Sequence, residues 1–192
     1  MIRSAARLFQ RQGYLGTGLV QVVEDCGAPR GSIYFHFRGG KEELALEVID
    51  YWARGTVSLV HHCAEQAGDA AQMVVLLADS LAETMERSGF VQGCAVATTA
   101  LEMSPASDSL RNASDRLFAD WQRALRDHLT RAGLPDDRAD VLGNLIVSTL
   151  EGALILARTG KTIRPLHLAG TELAALVHMS ISSPPQVGSS DG

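Results

Sequence analysis

The chain has 192 residues and a mass of 20.5 kDa, enough to bury roughly 70% of its unfolded surface in one domain, or in a small module joined to a larger one. Hydrophobic residues make up 46% and charged residues 20%, with 18 glycines and 6 prolines, which excludes collagenous, mucin-like and wholly disordered classes. Apolar runs reach about six residues, as in Met73 to Ala78, against the roughly 18 of a bilayer span, and the N-terminus MIRSAARLFQRQ lacks a secretory signal's apolar stretch, so a cytoplasmic protein without membrane contact is expected.

Apolar residues recur with the 3.6 period nearly throughout, and period-two alternation is hard to find, so the fold is predicted as all-α with about nine helices. Residues 2–12 place Ile2, Ala5, Ala6, Leu8 and Phe9 on one side, with Arg3, Arg7 and Arg11 displaced from it, and Gly13 ends the helix. Thr17 and Gly18 stand where a second helix needs its N-cap, Leu19, Val22, Val23 and Cys26 form its inner face, and Gly27 stops it. Ala28-Pro29 is read as the start of a third, in which Ile33 and Phe37 point inward and Gly39-Gly40 marks the end. A long helix follows from Lys41 to about Ala64, with Glu42, Glu43 and Glu47 where the helix dipole favours acid. Further helices are expected over 69–87, 95–103, 107–132, 137–159 and 166–181. The chain accordingly divides into 1–40, a three-helix module; 41–181, a helical body; and 182–192, SSPPQVGSSDG from its Ser-Ser start, a disordered tail.

The net charge of −5 conceals a split. Through Lys41 there are six basic residues against Glu24 and Asp25, whereas the remainder is strongly acidic. A basic first fifth on an acidic body is the footprint of a small module that meets phosphates. Within it, residues 19–38, LVQVVEDCGAPRGSIYFHFR, have the layout of a helix-turn-helix: a short helix, a glycine at the tight corner, and a second helix with polar residues at its leading end. Arg30, Gly31 and Ser32 lie where side chains reach base edges, and Tyr34, His36, Arg38 and Lys41 suit phosphate oxygens. Phe9, Phe35 and Phe37 fit a core role in either this or a generic three-helix module.

Gly13-Tyr14, Thr17, the run Gly27-Ala28-Pro29-Arg30-Gly31-Ser32-Ile33-Tyr34-Phe35-His36-Phe37 and Lys41-Glu42-Glu43-Leu44 resemble the N-terminal domain of TetR-family transcriptional repressors. The Gly-Ala-Pro-x-Gly-Ser variant, with Gly93-Cys94-Ala95-Val96 and Leu150-Glu151-Gly152-Ala153, is similar to the LmrA/YxaF-like branch. The resemblance implies that Thr17, Tyr34, His36 and Lys41 touch the phosphate backbone and that Arg30, Gly31 and Ser32 face bases. It departs from the family at Gly18, which replaces a frequent second hydroxyl residue, and at the N-terminus, which begins almost inside the first helix where members usually carry several more residues, so that either the first turn is frayed or upstream residues are absent from this sequence, which would weaken DNA affinity. It further implies repression from a palindromic operator, relieved when a small apolar or aromatic effector, flavonoid-like or drug-like, enters the helical body.

In that body Trp52, Met85, Phe90, Met103, Phe118 and Trp121, with Thr98, Glu102 and Asn144, are a mixture suited to an apolar pocket with few polar anchors. The last two long helices carry more apolar surface than one packed side needs, and Leu142, Ile146, Thr149, Leu150, Ala153, Ala157, Leu173 and Val177 are expected to form a homodimer interface. Cys26, Cys63 and Cys94 lack ligand spacing, and adjacent His61 and His62 point roughly 100° apart on a helix, so neither metal nor cofactor is expected. No GxSxG, HExxH, GxGxxG or GxxxxGK[ST] motif occurs, which argues against an enzyme. A helical adaptor that binds ligand or protein without DNA is the competing reading.

Overall fold

The computed structural model describes residues 1–182. The described residues form nine helices: α1 (Ile2–Gln12), α2 (Leu19–Cys26), α3 (Ser32–His36), α4 (Gly40–Gln66), α5 (Ala70–Arg87), α6 (Ala95–Met103), α7 (Asp108–Arg131), α8 (Asp136–Gly160) and α9 (Arg164–Ser182). The expected tail lies outside the described residues, apart from Ser182, which ends α9. Side chains of Asp69, Cys94 and Ser107 accept from the backbone N–H groups of Gln72, Ala97 and Leu110, so three helices start on orphan donors satisfied by their own N-caps.

Two starts differ from expectation. Thr17 turns inward, its hydroxyl donating to the Gly13 carbonyl at 2.7 Å, and Gly18 becomes the N-cap of α2 without a side-chain cap. Pro29 does not open α3; its carbonyl accepts from both the N–H and the hydroxyl of Ser32, closing a turn that delays the helix to Ser32. Gly27 closes α2 at φ 69°, a left-handed conformation that glycine adopts without steric cost and that sets the steep corner into α3.

The described residues form two cores. The first gathers Phe9, Val22, Val23, Ile33, Phe37, Leu44 and Val48 and extends to Val96, Leu110 and Leu117, so α6 and the start of α7 pack on the N-terminal helices. The second joins α5, α7, α8 and α9 through Met73, Leu77, Leu125, Leu129, Leu142, Ile146, Leu150 and Val177. Helix α4 belongs to both, with Leu44 and Val48 in the first and Val60 and Cys63 in the second. Its 27 residues make a rod about 40 Å long, able to carry a displacement from one core to the other.

The dimer residues read from sequence need correction. Leu142, Ile146, Leu150, Ala153, Ala157, Leu173 and Val177 are buried within the protomer, and Thr149 is half-buried. Gly143 is also used internally, since a Cβ there would lie 3.1 Å from the Gln122 carbonyl of α7. The surplus apolar surface is on the opposite side, where Val141, Leu145, Ile155 and Leu156 of α8 and Leu168 and Met179 of α9 are exposed. By length and composition α8 could cross a membrane, contrary to the short-run reading, but its inner residues are occupied in this core.

Candidate DNA surface and effector cavity

Helix α3 buries Ile33, and Phe37 just beyond it, against α1, α2 and α4, leaving Tyr34, Phe35 and His36 exposed. Phe35 does not join the core: it is 72% exposed, with its ring edge-on to His36 at 5.4 Å between centroids. Arg30 is exposed and pairs with Glu24 at 3.0 Å. Gly31 faces open space, and the Ser32 hydroxyl is held by the Pro29 carbonyl at 2.7 Å. Lys41 lies 4.3 Å above the Tyr14 ring and donates to the Leu15 carbonyl at 3.5 Å. Its half-burial lowers the ammonium pKa, against an opposing effect from Glu102. The Thr17 side chain, expected at phosphate, is 1% exposed and is committed to Gly13, so its hydroxyl is not part of this surface.

A cavity of about 200 Å³ opens in the body. Its walls come from α4 (Trp52, Gly55, Thr56, Leu59), α5 (Leu81, Thr84, Met85), α7 (Trp121) and α8 (Glu151, Leu154), closed by Gln10, Gln92, Gly93 and Cys94. Of the expected pocket residues it brings together Trp52, Met85 and Trp121. The others are elsewhere. Glu102 accepts the Leu15 N–H at 2.8 Å, Thr98 donates to the Cys94 carbonyl, and Asn144 is exposed and accepts from Ser148. Met103 packs on the first core, Phe90 on the second, and Phe118 on both. Periodicity identifies a buried face but not which of several buried faces meets a void, so bulky residues alone misled.

The missed lining residues are informative. Glu151 is a carboxyl sunk among apolar helices, and burial pushes its pKa up while the Cys94 thiol beside it pulls the other way. Burial raises Cys94 well above the usual thiol range, and Glu151 adds to it. The indole Nε1 groups of Trp52 and Trp121 are buried without a hydrogen-bond partner. An isolated acid in an apolar stretch was the available sequence signal for Glu151; nothing in the sequence marked Gln10, which arrives from α1.

The end of α1 ties the two regions together. Arg158 of α8 donates to the Arg11 carbonyl at 2.8 Å and to the Gln10 carbonyl at 3.4 Å, and Gly93 N–H also reaches Gln10. A cation at the carbonyl end of a helix is favoured by the helix dipole. Glu102 and Lys41 hold the following turn through the Leu15 N–H and carbonyl. Residues 10–15 are thus gripped from α4, α6 and α8.

Residues 70–172 match the family described as "Transcriptional regulator LmrA/YxaF-like, C-terminal domain", and residues 1–48 match "Bacterial regulatory proteins, tetR family". The chain belongs to the TetR family of transcriptional regulators. It is similar to the HTH-type transcriptional regulator YxaF of Bacillus subtilis, 33% identical over 92% of this chain and 93% of that one. The HTH-type transcriptional regulator LmrA of the same organism is 32% identical over 86% and 88%. Among solved structures, the regulatory protein TetR from Rhodobacter sphaeroides superposes with a TM-score of 0.82 at 25% identity, covering 91% of this chain and 95% of that one. These matches make the protein an HTH transcriptional regulator with a DNA-binding N-terminal module. Its helices α2 and α3 are the two helices of that motif.

Proposed function

We propose that this TetR-family regulator is a homodimeric, cytoplasmic repressor that leaves a palindromic operator when a small apolar or aromatic effector occupies the cavity. Residues 1–40 act as the DNA-binding domain and 41–181 as the effector-binding and dimerisation domain. The observation that carries the reading is the course of α4, which packs on the recognition module at Leu44 and Val48 and walls the cavity at Trp52, Thr56 and Leu59. A space of 200 Å³ holds roughly one or two fused rings, since a 150 Å³ cavity is known to take benzene. A larger flavonoid-like or drug-like effector must displace Trp52 or Trp121, and displacing Trp52 tilts α4. An effector that binds both states equally shifts nothing, so this steric demand supplies the needed preference for the DNA-incompetent state.

Tyr34 and His36, exposed on α3, together with Lys41 are assigned to phosphates, and Arg30, Gly31 and Ser32 to the base-facing side. The exposed apolar faces of α8 and α9 pair with those of a second copy, which sets two recognition helices about 34–36 Å apart. The test is anisotropy of a labelled duplex from upstream of the protein's own gene, beside a scrambled duplex, at several salt concentrations. Saturable, salt-sensitive preference for the genuine duplex supports the reading; equal weak binding to both refutes an operator there. Both tryptophans of the chain line the cavity, so compounds that release the duplex must also change intrinsic fluorescence.

A further inference from the structure

We propose that Phe35 is a specificity-determining residue of this regulator, reading the 5-methyl group of a thymine in the major groove of the operator. The inference rests on the DNA-binding reading of α3 and adds a residue to it.

Three observations converge. At 100° per residue, Phe35 lies roughly opposite the mean direction of buried Ile33 and Phe37, at the centre of the outward face. Tyr34 and His36 flank it on either side, placed for the two phosphate walls of a groove while Phe35 faces its floor. Next, the residues at the leading end of the helix leave the space in front of Phe35 open. Arg30 is paired with Glu24, the Ser32 hydroxyl is held by the Pro29 carbonyl, and Gly31 has no side chain. Gly31 precedes Phe35 by one helical turn, and a Cβ there would meet nothing within 4 Å, so neither residue's face is covered by the protein itself. Finally, Phe35 is 72% exposed, the most exposed aromatic side chain on this surface, and its ring stands in a T-shaped arrangement with His36.

A phenyl ring bare to water among cations and hydroxyls needs an apolar counterpart. On a major-groove floor the apolar group is the thymine methyl; the other base edges are hydrogen-bond donors and acceptors that a phenyl ring cannot satisfy. At the base pair beneath Phe35, recognition is therefore carried by methyl contact and shape, beside the contacts assigned to Arg30 and Ser32 at the leading end of the helix.

The test begins by selecting duplexes from a randomised pool with the full-length protein, then replacing each thymine of a half-site by deoxyuridine, which removes only the methyl. The expected result is one position per half-site at which the wild-type protein loses about three- to ten-fold in affinity, the scale of one or two buried methyl contacts. Phe35→Ala binds the thymine duplex correspondingly less well and is indifferent to uracil at that position, while Phe35→Leu keeps part of the discrimination. Because the side chain is exposed, the thermal midpoint of Phe35→Ala stays close to wild type, so lost discrimination does not report unfolding. Equal wild-type binding to thymine and uracil at every position overturns the proposal, as does a Phe35→Ala protein that still distinguishes them. If selection enriches no duplex at all, the DNA-binding assignment of α3 fails, and this proposal with it.

Discussion

Replacing Arg158 by methionine keeps the aliphatic stem against its neighbours and removes the guanidinium that holds the end of α1. Two bonds are lost, a good one to the Arg11 carbonyl at 2.8 Å and a weak one to the Gln10 carbonyl at 3.4 Å. A charge-assisted hydrogen bond contributes about 1.5–3 kcal/mol. The Arg11 contact is exposed and the Gln10 contact part-buried, which places the loss at the lower end, about 1.5–2 kcal/mol. For a chain of this size that corresponds to a drop of about 3–8 °C in thermal midpoint. The effect is local as well as global: amides following α1, including Gly13, Leu15 and Thr17, exchange about ten-fold faster when the local opening free energy falls by 1.4 kcal/mol. Hydrogen exchange on wild type and variant, with thermal melts, reads both. Arg126→Met is the control, because Arg126 pairs only with exposed Asp136 and Asp140 and its loss is worth less than about 1 kcal/mol. If Arg158→Met leaves the exchange of residues 10–17 and the midpoint unchanged, the grip of α8 on the end of α1 has no energetic content.

Gly13→Ala adds strain at φ 79°, which costs about 1–3 kcal/mol by chemical denaturation, and its Cβ pushes the flexible Glu102 carboxylate off the Leu15 N–H, so combining it with Glu102→Ala counts that lost bond once and leaves the backbone strain. Full additivity of the two losses rules out that contact. Glu151 holds its proton more tightly folded than unfolded, so its contribution to stability is full below the usual 4.5 and declines as pH rises through the elevated folded value. Glu151→Gln should therefore flatten that decline in melts between pH 4 and 8; an unaltered slope contradicts a carboxyl in an apolar wall. At the exposed face of α8, Leu156→Glu should convert a dimer to monomer in sedimentation velocity while leaving the helical signal intact, whereas a dimer that persists places the interface elsewhere.

Local chemistry was sufficient for the order of the helices and the layout of the recognition segment, though not for where α2 and α3 begin. The 3.6 period, Gly27 in its left-handed corner and the inward pair Ile33 and Phe37 are properties of neighbouring residues, and such properties are written in the order of the chain. The basic N-terminal charge and the match of residues 27–44 to a TetR module depend on nothing distant. The choice of faces did not follow in the same way. Helix α8 is apolar on two sides, and only its packing between α7 and α9 shows that Leu142, Ile146 and Leu150 belong to the protomer while Ile155 and Leu156 are left over. The cavity is likewise a place where six segments fail to fill space, including Gln10 at a sequence distance of more than 140 residues from Glu151, so bulky residues were identifiable but their common void was not. Thr17 and Phe35 exchanged expected roles for the same reason: whether a side chain is covered depends on what the rest of the chain brings against it, and that is decided by tertiary contact.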